Sequence, residues 1–122
     1  MSHIVQIQTE VRDAAAVRAG CDRLGLRPPA QGTFKLFTNT AEGLGVELPG
    51  WRFPVVCQLA SGNVLYDNYE GRWGDRARLD EFLQAYAVEK AKLAARKNGH
   101  CVGEQTLADG SIKLTIQAGG DA

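Results

Sequence analysis

Apolar side chains recur along the chain at two spacings, every second residue and every third or fourth residue. Near the start, Val5, Ile7 and Val11 alternate with polar residues, which predicts a half-buried strand. Four later runs alternate in the same way and predict further strands, over residues 34–37, 44–48, 55–59 and 64–66. Pro49-Gly50 predicts a type II turn between two of these runs, so neighbouring strands should pair antiparallel.

Helical spacing begins after Asp13, whose carboxylate is suited to cap the first amides of a helix. The apolar stripe of this helix consists of Ala14, Val17, Cys21 and Leu24. Gly25 suits a left-handed residue just after the helix, and Pro28-Pro29 prevents its continuation. Gly20 lowers helix propensity, which predicts that this helix approaches the sheet closely.

A longer helix is predicted between Asp75, as its cap, and Asn98-Gly99, as its end. The residues at three- and four-residue steps along it are Leu79, Phe82, Leu83, Tyr86, Lys90 and Leu93. Lysine and arginine are concentrated in its last turns, where the helix dipole favours cations. Both helices should therefore bury an apolar face; the residues expected in the shared core are Val17, Cys21, Leu24, Leu79, Phe82, Leu83, Tyr86, Val5 and Ile7.

Two closing strands are predicted over residues 101–107 and 111–117, joined at Asp109-Gly110. Ile112, Leu114 and Ile116 should face the core. The resulting order, β-α-β-β-β-β-α-β-β, predicts an α+β domain over residues 1–117 with a flexible tail over 118–122. We expect a mainly antiparallel sheet with both helices on one face, as a ferredoxin-like or split β-α-β variant with an added hairpin.

Composition narrows the possible classes of protein. At 122 residues and 44% hydrophobic, the chain has the size and content of one ordinary domain. Lys plus Arg and Asp plus Glu are both 14, which argues against a phosphate backbone as the main partner. No apolar run is long enough to span a bilayer, and the first residues lead straight into a strand pattern, so neither a membrane segment nor a signal peptide is predicted. Three cysteines, an odd number, favour a reducing, cytoplasmic compartment.

Chemical candidates are sparse. Cys21 and Cys57 lie on apolar faces and are predicted to be buried, reduced core residues. His100 and Cys101 are adjacent, and they lack the paired spacing of a zinc site. We therefore predict no catalytic residue, cofactor or metal ligand at these positions.

Three carboxylates, those of Asp67, Glu70 and Asp75, stand close enough in sequence to suggest a cation site or an acid–base pair. Turn and cap roles explain them as well. Arg72, with Arg76 and Arg78, could also help a helix N-terminus to bind an anion.

The most unusual stretch covers residues 66–75, at the junction between a strand and the long helix. Tyr69 and Trp73, together with Trp51, are interpreted as a hydrophobic anchor, a protein interface or a stacking platform for bases. Our candidate interaction surface is Trp51, Tyr69, Arg72 and Trp73. We expect Trp73 mainly to anchor the fold, with Tyr69 and Arg72 reaching outward.

Several motifs together carry a family resemblance. They are the opening residues 1–4, the turn 48–55, the run 66–75 and the helical segment 86–91. The chain resembles the uncharacterised family named for hypothetical chloroplast reading frame thirty-five, which has plastid, cyanobacterial and bacterial members. The resemblance implies an accessory role in a multi-protein system, with an AAA-type ATPase or a ferredoxin-like protein as the partner. It implies no catalytic residues.

Three classes of function follow. The first is a non-enzymatic interaction module that acts with a protein partner or as a homo-oligomer, and we favour it. The second is a nucleic-acid-binding module that uses the sheet or the basic helix end, which the neutral charge makes unlikely. The third is a small enzyme or metal-binding protein built on the carboxylates or on His100 and Cys101.

Overall fold

A five-stranded antiparallel sheet forms the centre of the protein. The computed structural model describes residues 4–117. The strands are β1 (Val5–Gln8), β2 (Ala30–Leu36), β3 (Asn39–Val46), β4 (Val55–Gln58) and β5 (Asn63–Tyr66). Their order in the sheet is β1-β5-β4-β3-β2, and each neighbouring pair is antiparallel. Strands β2 to β5 thus form a meander, to which β1 adds beside β5.

Two helices, α1 (Ala14–Arg23) and α2 (Arg76–Lys97), pack on one face of this sheet. They contact each other and share a core with the side chains that β3, β4 and β5 direct to that face. The largest fully buried members of this core are Phe82, Leu79, Val17, Val46, Val55, Val64, Cys21 and Cys57. The predicted α+β class, with both helices on one face of an antiparallel sheet, is confirmed.

Local sequence rules place the helix ends correctly. Asp13 accepts hydrogen bonds from the amides of Ala15 and Ala16, and Asp75 accepts one from Ala77. Gly20 does permit a close approach, but to α2 and not to the sheet, because a Cβ there would lie 3.3 Å from the backbone nitrogen of Tyr86. The prediction that α1 approaches the sheet closely at Gly20 was therefore wrong.

The connection from β1 through α1 to β2 gives the sheet its topology. Since adjacent strands alternate in direction, β1 and β2 run the same way, with three strands between them. This is the split β-α-β arrangement that the sequence predicts as one of two versions. A ferredoxin-like chain would return a strand to the sheet after its second helix, whereas here α2 leads into a separate hairpin.

That hairpin consists of β6 (Cys101–Thr106) and β7 (Ile112–Gln117), which form their own two-stranded sheet against α2. A lone two-stranded sheet is only marginally stable in water, so its contacts with α2 are needed. Ile112 and Leu114 were predicted to face the main core, but they are only half-buried and belong to neither apolar core of the described residues. Ile116 was predicted to face the core, and this was wrong: its side chain is 48% exposed because the hairpin is not part of the main sheet.

Leu24 was also predicted to be buried in the core, and this was wrong, because its side chain is 36% exposed. Helix α1 ends one residue earlier, and the chain then turns so that the amide of Leu26 donates to the Cys21 carbonyl at 2.9 Å. Leu26 packs against the core in its place. The remaining predicted core members that are only half-buried are Val5, Ile7 and Leu83, because β1 is an edge strand and Leu83 lies at the margin of the α2 stripe.

The face of the sheet without helices is covered by the chain itself. Strand β3 pairs with β4 only over residues 44–46, and its first half pairs with β2 alone. Near the tip of this hairpin, Leu36 and Ala41 are buried against Val56 of β4. Gly43 allows this path, because a Cβ there would lie 2.6 Å from the Cys57 carbonyl oxygen. The β2–β3 hairpin therefore bends over the helix-free face and forms a second, smaller core.

Neither helix in residues 4–117 combines the length and the apolar character needed to cross a bilayer. The predicted tail, residues 118–122, lies outside the described residues.

Candidate functional site

The loop between β5 and α2, residues 67–75, is held together by hydrogen bonds of its own. The Asn68 carbonyl accepts from the amides of Gly71 and Trp73, at 3.1 and 2.9 Å. The Asn68 side chain donates to the Gly74 carbonyl at 3.1 Å, and Asp67 accepts from the Tyr69 amide at 3.1 Å. Both Asp67 and Asn68 are buried. These bonds fix the loop as a compact unit at the end of the sheet.

Bulky residues of this region adopt left-handed backbone conformations. Tyr69 and Glu70 have φ angles of 48° and 53°, and Phe37, at the tip of the β2–β3 hairpin, has 58°. Each such residue costs about 1–2 kcal/mol relative to the right-handed form. Strain of this kind is retained where the surrounding structure requires a particular side-chain position. Here it sets the directions of Tyr69 and Phe37.

Four rings meet at this point, those of Phe37, Phe53, Tyr69 and Trp73, which we call the aromatic cluster. Phe37 and Phe53 approach Trp73 in edge-to-face geometry, with centroids 4.9 and 5.6 Å away. The Tyr69 ring lies 4.8 Å from Trp73 and is tilted by 47°. All three centroid distances fall in the favourable range for aromatic pairs, and the two phenylalanine contacts also have a preferred angle. Three separate segments of the chain therefore join in one ring cluster.

Two arginines stack on the aromatic cluster. The guanidinium carbon of Arg52 lies 4.8 Å from the Trp73 ring centroid and 5.5 Å from that of Phe53. Arg72 stands 5.1 Å from the Tyr69 centroid. Cations over ring faces at these distances are attracted by the ring quadrupole.

The aromatic cluster and its arginines reach the surface. Phe37 is 39% exposed, one of the most exposed large apolar side chains among the described residues. Phe53, Tyr69 and Trp73 are half-buried, and both Arg52 and Arg72 are exposed. Sequence reasoning missed Arg52, Phe37 and Phe53, which reach Trp73 only through the bend of the hairpin and the turn before β4.

Trp51 lies on the other side of the sheet from this cluster. Its half-buried ring packs against Tyr66, with centroids 5.5 Å apart, at the margin of the helix-side core. Its Nε1 donates to the Asp75 carbonyl at 3.0 Å, and a Cβ at Gly74 would overlap the ring. The candidate surface is thus divided: Tyr69, Arg72 and Trp73 lie together, whereas Trp51 anchors the start of α2.

The three carboxylates of the loop do not converge. Asp67 is buried and bonds to its own turn, with its Oδ2 atom buried and without a partner among the described residues. Asp75 caps α2, and Glu70 is exposed. No group of three His, Cys, Asp or Glu side chains within residues 4–117 could hold a metal ion.

The predicted burial of Cys21 and Cys57 is confirmed. Cys21 and Cys57 are buried free thiols, and burial raises the pKa of Cys21 to about 11 and that of Cys57 to about 12. Both thiols are therefore protonated and unreactive at neutral pH. Cys101 is exposed, and its neighbour His100 is half-buried.

Most cations near the predicted basic and anionic sites are already paired. On α2, Lys90 bonds to Asp13 at 3.0 Å, and Lys92 bonds to Glu104 at 3.2 Å. At the other end of the helix, Arg76 pairs with Asp80 at 3.0 Å. Arg96 and Lys97, in the last turn of α2, are exposed and form no ion pair within residues 4–117, so part of the predicted basic end stays unpaired.

Comparison with known protein families, with curated proteins and with solved structures found no match.

Proposed function

We propose that this protein is a non-enzymatic interaction module, an accessory component of a multi-protein system, which binds a protein partner through the aromatic cluster. One observation carries the proposal: four rings and two stacked arginines share one exposed surface, on a backbone that is strained to hold them. Aromatic residues and arginine dominate the binding energy of protein interfaces. Rings that are already packed also lose little side-chain entropy when a partner binds.

A protein partner explains this surface better than a nucleic acid does. A platform for bases needs open ring faces. Arg52 and Tyr69 already stand against Trp73, at 4.8 Å each. The 39% exposed Phe37 side chain, beside three half-buried rings, suits contact with the side chains of a protein.

The proposed setting is a cytoplasmic one, which the three free cysteines support. The resemblance to the family of reading frame thirty-five supports an AAA-type ATPase or a ferredoxin-like protein as the partner. Self-association through the same surface is the other form of this proposal.

Site-specific photo-crosslinking tests the proposal. A benzophenone amino acid replaces Phe37 in one variant and Leu24 in another, because the two side chains are similarly exposed, at 39% and 36%, on different parts of the protein. After irradiation in native extract, we expect a discrete protein adduct from position 37 and none from position 24. Mass spectrometry identifies the adduct, and an adduct with a second copy of the chain would indicate a homo-oligomer. Nucleic acid as the main adduct, or equal capture from both positions, would contradict the proposal.

A further inference from the structure

The arginines of the aromatic cluster differ from most other cations of this protein in their partners. Ion pairs within 4 Å involve a carboxylate and one of Arg12, Arg23, Arg27, Arg76, Arg78, Lys90 or Lys92. Neither Arg52 nor Arg72 forms such a pair within residues 4–117, although both are exposed. Their side chains instead contact the rings of Phe53, Tyr69 and Trp73.

Contact with the rings leaves the N–H donors of these arginines available, since neither Arg52 nor Arg72 donates a side-chain hydrogen bond within residues 4–117. The N–H donors of arginine lie in the plane of the group and form a fork that fits a carboxylate with two parallel bonds. Contact with a ring limits the motion of the side chain, so less entropy is lost when the edge binds an acceptor. Arg52, which contacts two rings, is the better held of the two.

A partner that covers this surface must supply hydrogen-bond acceptors for the two arginines. A protein segment that packs on Phe37 and Trp73 would also remove water from Arg52 and Arg72. A buried cation without a partner is strongly unfavourable, whereas a cation paired with a hydrogen-bonded carboxylate is tolerated. The nearby acidic residues cannot supply this, because Asp67 and Asp75 bond to backbone amides and Glu70 is a single exposed carboxylate.

We infer that the partner presents an acidic segment, in which Asp or Glu residues flank an apolar side chain. The carboxylates bind the edges of Arg52 and Arg72, and the apolar side chain packs beside Phe37. This inference rests on the proposed function and adds the chemistry of the partner to it. Phosphate groups would also fit the arginine edges, but the zero net charge and the exposed Glu70 disfavour a polyanion.

Binding of synthetic peptides tests this chemistry. The probes are fluorescein-labelled dodecapeptides in which two Glu or two Asp residues flank Leu, Phe or Trp, each with a twin that carries Gln or Asn. Fluorescence anisotropy should show that acidic peptides bind at least about tenfold more tightly than their twins, which corresponds to about 1.4 kcal/mol. Because ion pairs are screened, added salt should weaken this binding.

Charge-reversal variants assign the effect to the surface. The double variant R52E/R72E should weaken binding of the acidic peptides by about tenfold or more, since it replaces attraction by repulsion. Arg18 is exposed on α1 and lies outside the aromatic cluster, so R18E provides the control and should bind normally. R52Q/R72Q is the milder alternative, and circular dichroism verifies that each variant is folded.

Each outcome of this experiment decides the inference. Equal binding of acidic peptides and their twins would overturn the inference that the partner presents an acidic segment. Undiminished binding of the acidic peptides by R52E/R72E would overturn it as well. So would the absence of binding by every acidic peptide at about millimolar concentration, the weak limit of specific recognition. Tighter binding of a single-stranded oligonucleotide, lost in R52E/R72E, would assign the surface to nucleic acid. Crosslinking at Phe37 tests separately whether this surface binds a partner at all. Failure of the acidic-segment inference can therefore be distinguished from failure of the proposed function.

Discussion

Trp51 and Trp73 stand at the same end of the sheet but on opposite sides of it. The Trp51 ring packs against the helix-side core, and its N–H is satisfied by the Asp75 carbonyl at 3.0 Å. The Trp73 ring contacts two phenylalanines, a tyrosine and an arginine at the surface. A second hydrogen bond, from the Arg52 amide to the Trp73 carbonyl at 2.8 Å, also joins their segments. The aromatic residues of the helix side, Tyr66, Phe82 and Tyr86 with Trp51 packed against them, thus mainly stabilise the fold, while those of the helix-free side lie at the surface.

The largest expected effects compare the two cores. Phe82 on the helix side and Leu36 on the helix-free side are both fully buried. We expect Phe82→Ala to lower the free energy of unfolding by about 4 kcal/mol and Leu36→Ala by about 3 kcal/mol, because each leaves a cavity. Urea unfolding followed by circular dichroism measures both.

Leu107→Ala is the control for these truncations. Leu107 is 40% exposed, so its loss should change the free energy of unfolding by no more than about 0.5 kcal/mol. A cost below about 1 kcal/mol for Leu36→Ala would show that the bent β2–β3 hairpin is not a structural core. The two sides of the sheet would then differ in kind and not only in size.

The next largest expected effect is the loss of stability when either tryptophan is replaced by alanine. Trp51→Ala should cost about 3 kcal/mol of stability, since it removes core packing and a hydrogen bond. Both rings are half-buried, but that of Trp73 forms no side-chain hydrogen bond within residues 4–117, so Trp73→Ala should cost less, about 1–2 kcal/mol, and it should abolish capture of the partner. Thermal unfolding and crosslinking from position 37 are measured on the same preparations. The contrast between the two sides would be wrong if Trp51→Ala and Trp73→Ala lost the same stability and Trp73→Ala still captured the partner.

Local features of the sequence predicted the fold well. Asp13, Asp75 and Gly25 act within a few residues of their own positions, so helix ends could be predicted from the chain alone. The same holds for the turn at Pro49-Gly50, where Gly50 has a φ of 75° and the Trp51 amide bonds to the Leu48 carbonyl.

What covers each face could not be predicted in this way. Alternation in a strand shows that one face is apolar, but it does not show which part of the chain packs there. The bend of the β2–β3 hairpin brings the ring of Phe37 against that of Trp73, although the two residues lie far apart in the sequence. For the same reason, Ile116 alternates like a core residue, although β7 belongs to a separate hairpin.

A smaller effect concerns how that hairpin is attached to the helix side. Glu104 of β6 pairs with Arg23 of α1 and with Lys92 of α2. The hydrogen bond from Arg23, supported by Lys92, lowers the pKa of Glu104 from 4.5 to about 2. Because the folded-state pKa is depressed, this stabilisation is complete above the ordinary pKa and is lost as the pH falls from about 4.5 towards 2.

Glu104→Gln should therefore lower the free energy of unfolding at pH 7 by about 1 kcal/mol, a value discounted because water screens this pair. Between pH 4.5 and 2 the melting temperature of the wild type should fall more than that of the variant. Glu47, which pairs with Arg27 at an exposed site, provides the control, and Glu47→Gln should retain the wild-type pH dependence. Parallel pH curves for wild type and Glu104→Gln would show that the hairpin is held by apolar contacts with α2 alone.

The smallest effect tests the strain on the helix-free side. Glu70 has a φ of 53° and an exposed side chain that bonds to no other residue among the hydrogen bonds and ion pairs described within residues 4–117. Glycine adopts this conformation freely, and it also makes the unfolded chain more flexible. The net result of Glu70→Gly should be a gain of about 0.5 kcal/mol, measured by urea unfolding. Ala87→Gly, at an exposed position in the right-handed backbone of α2 with no side-chain bond to lose, should instead cost about 1 kcal/mol. If both substitutions destabilise the protein equally, the left-handed turn stores no strain, and the position of Tyr69 needs another explanation.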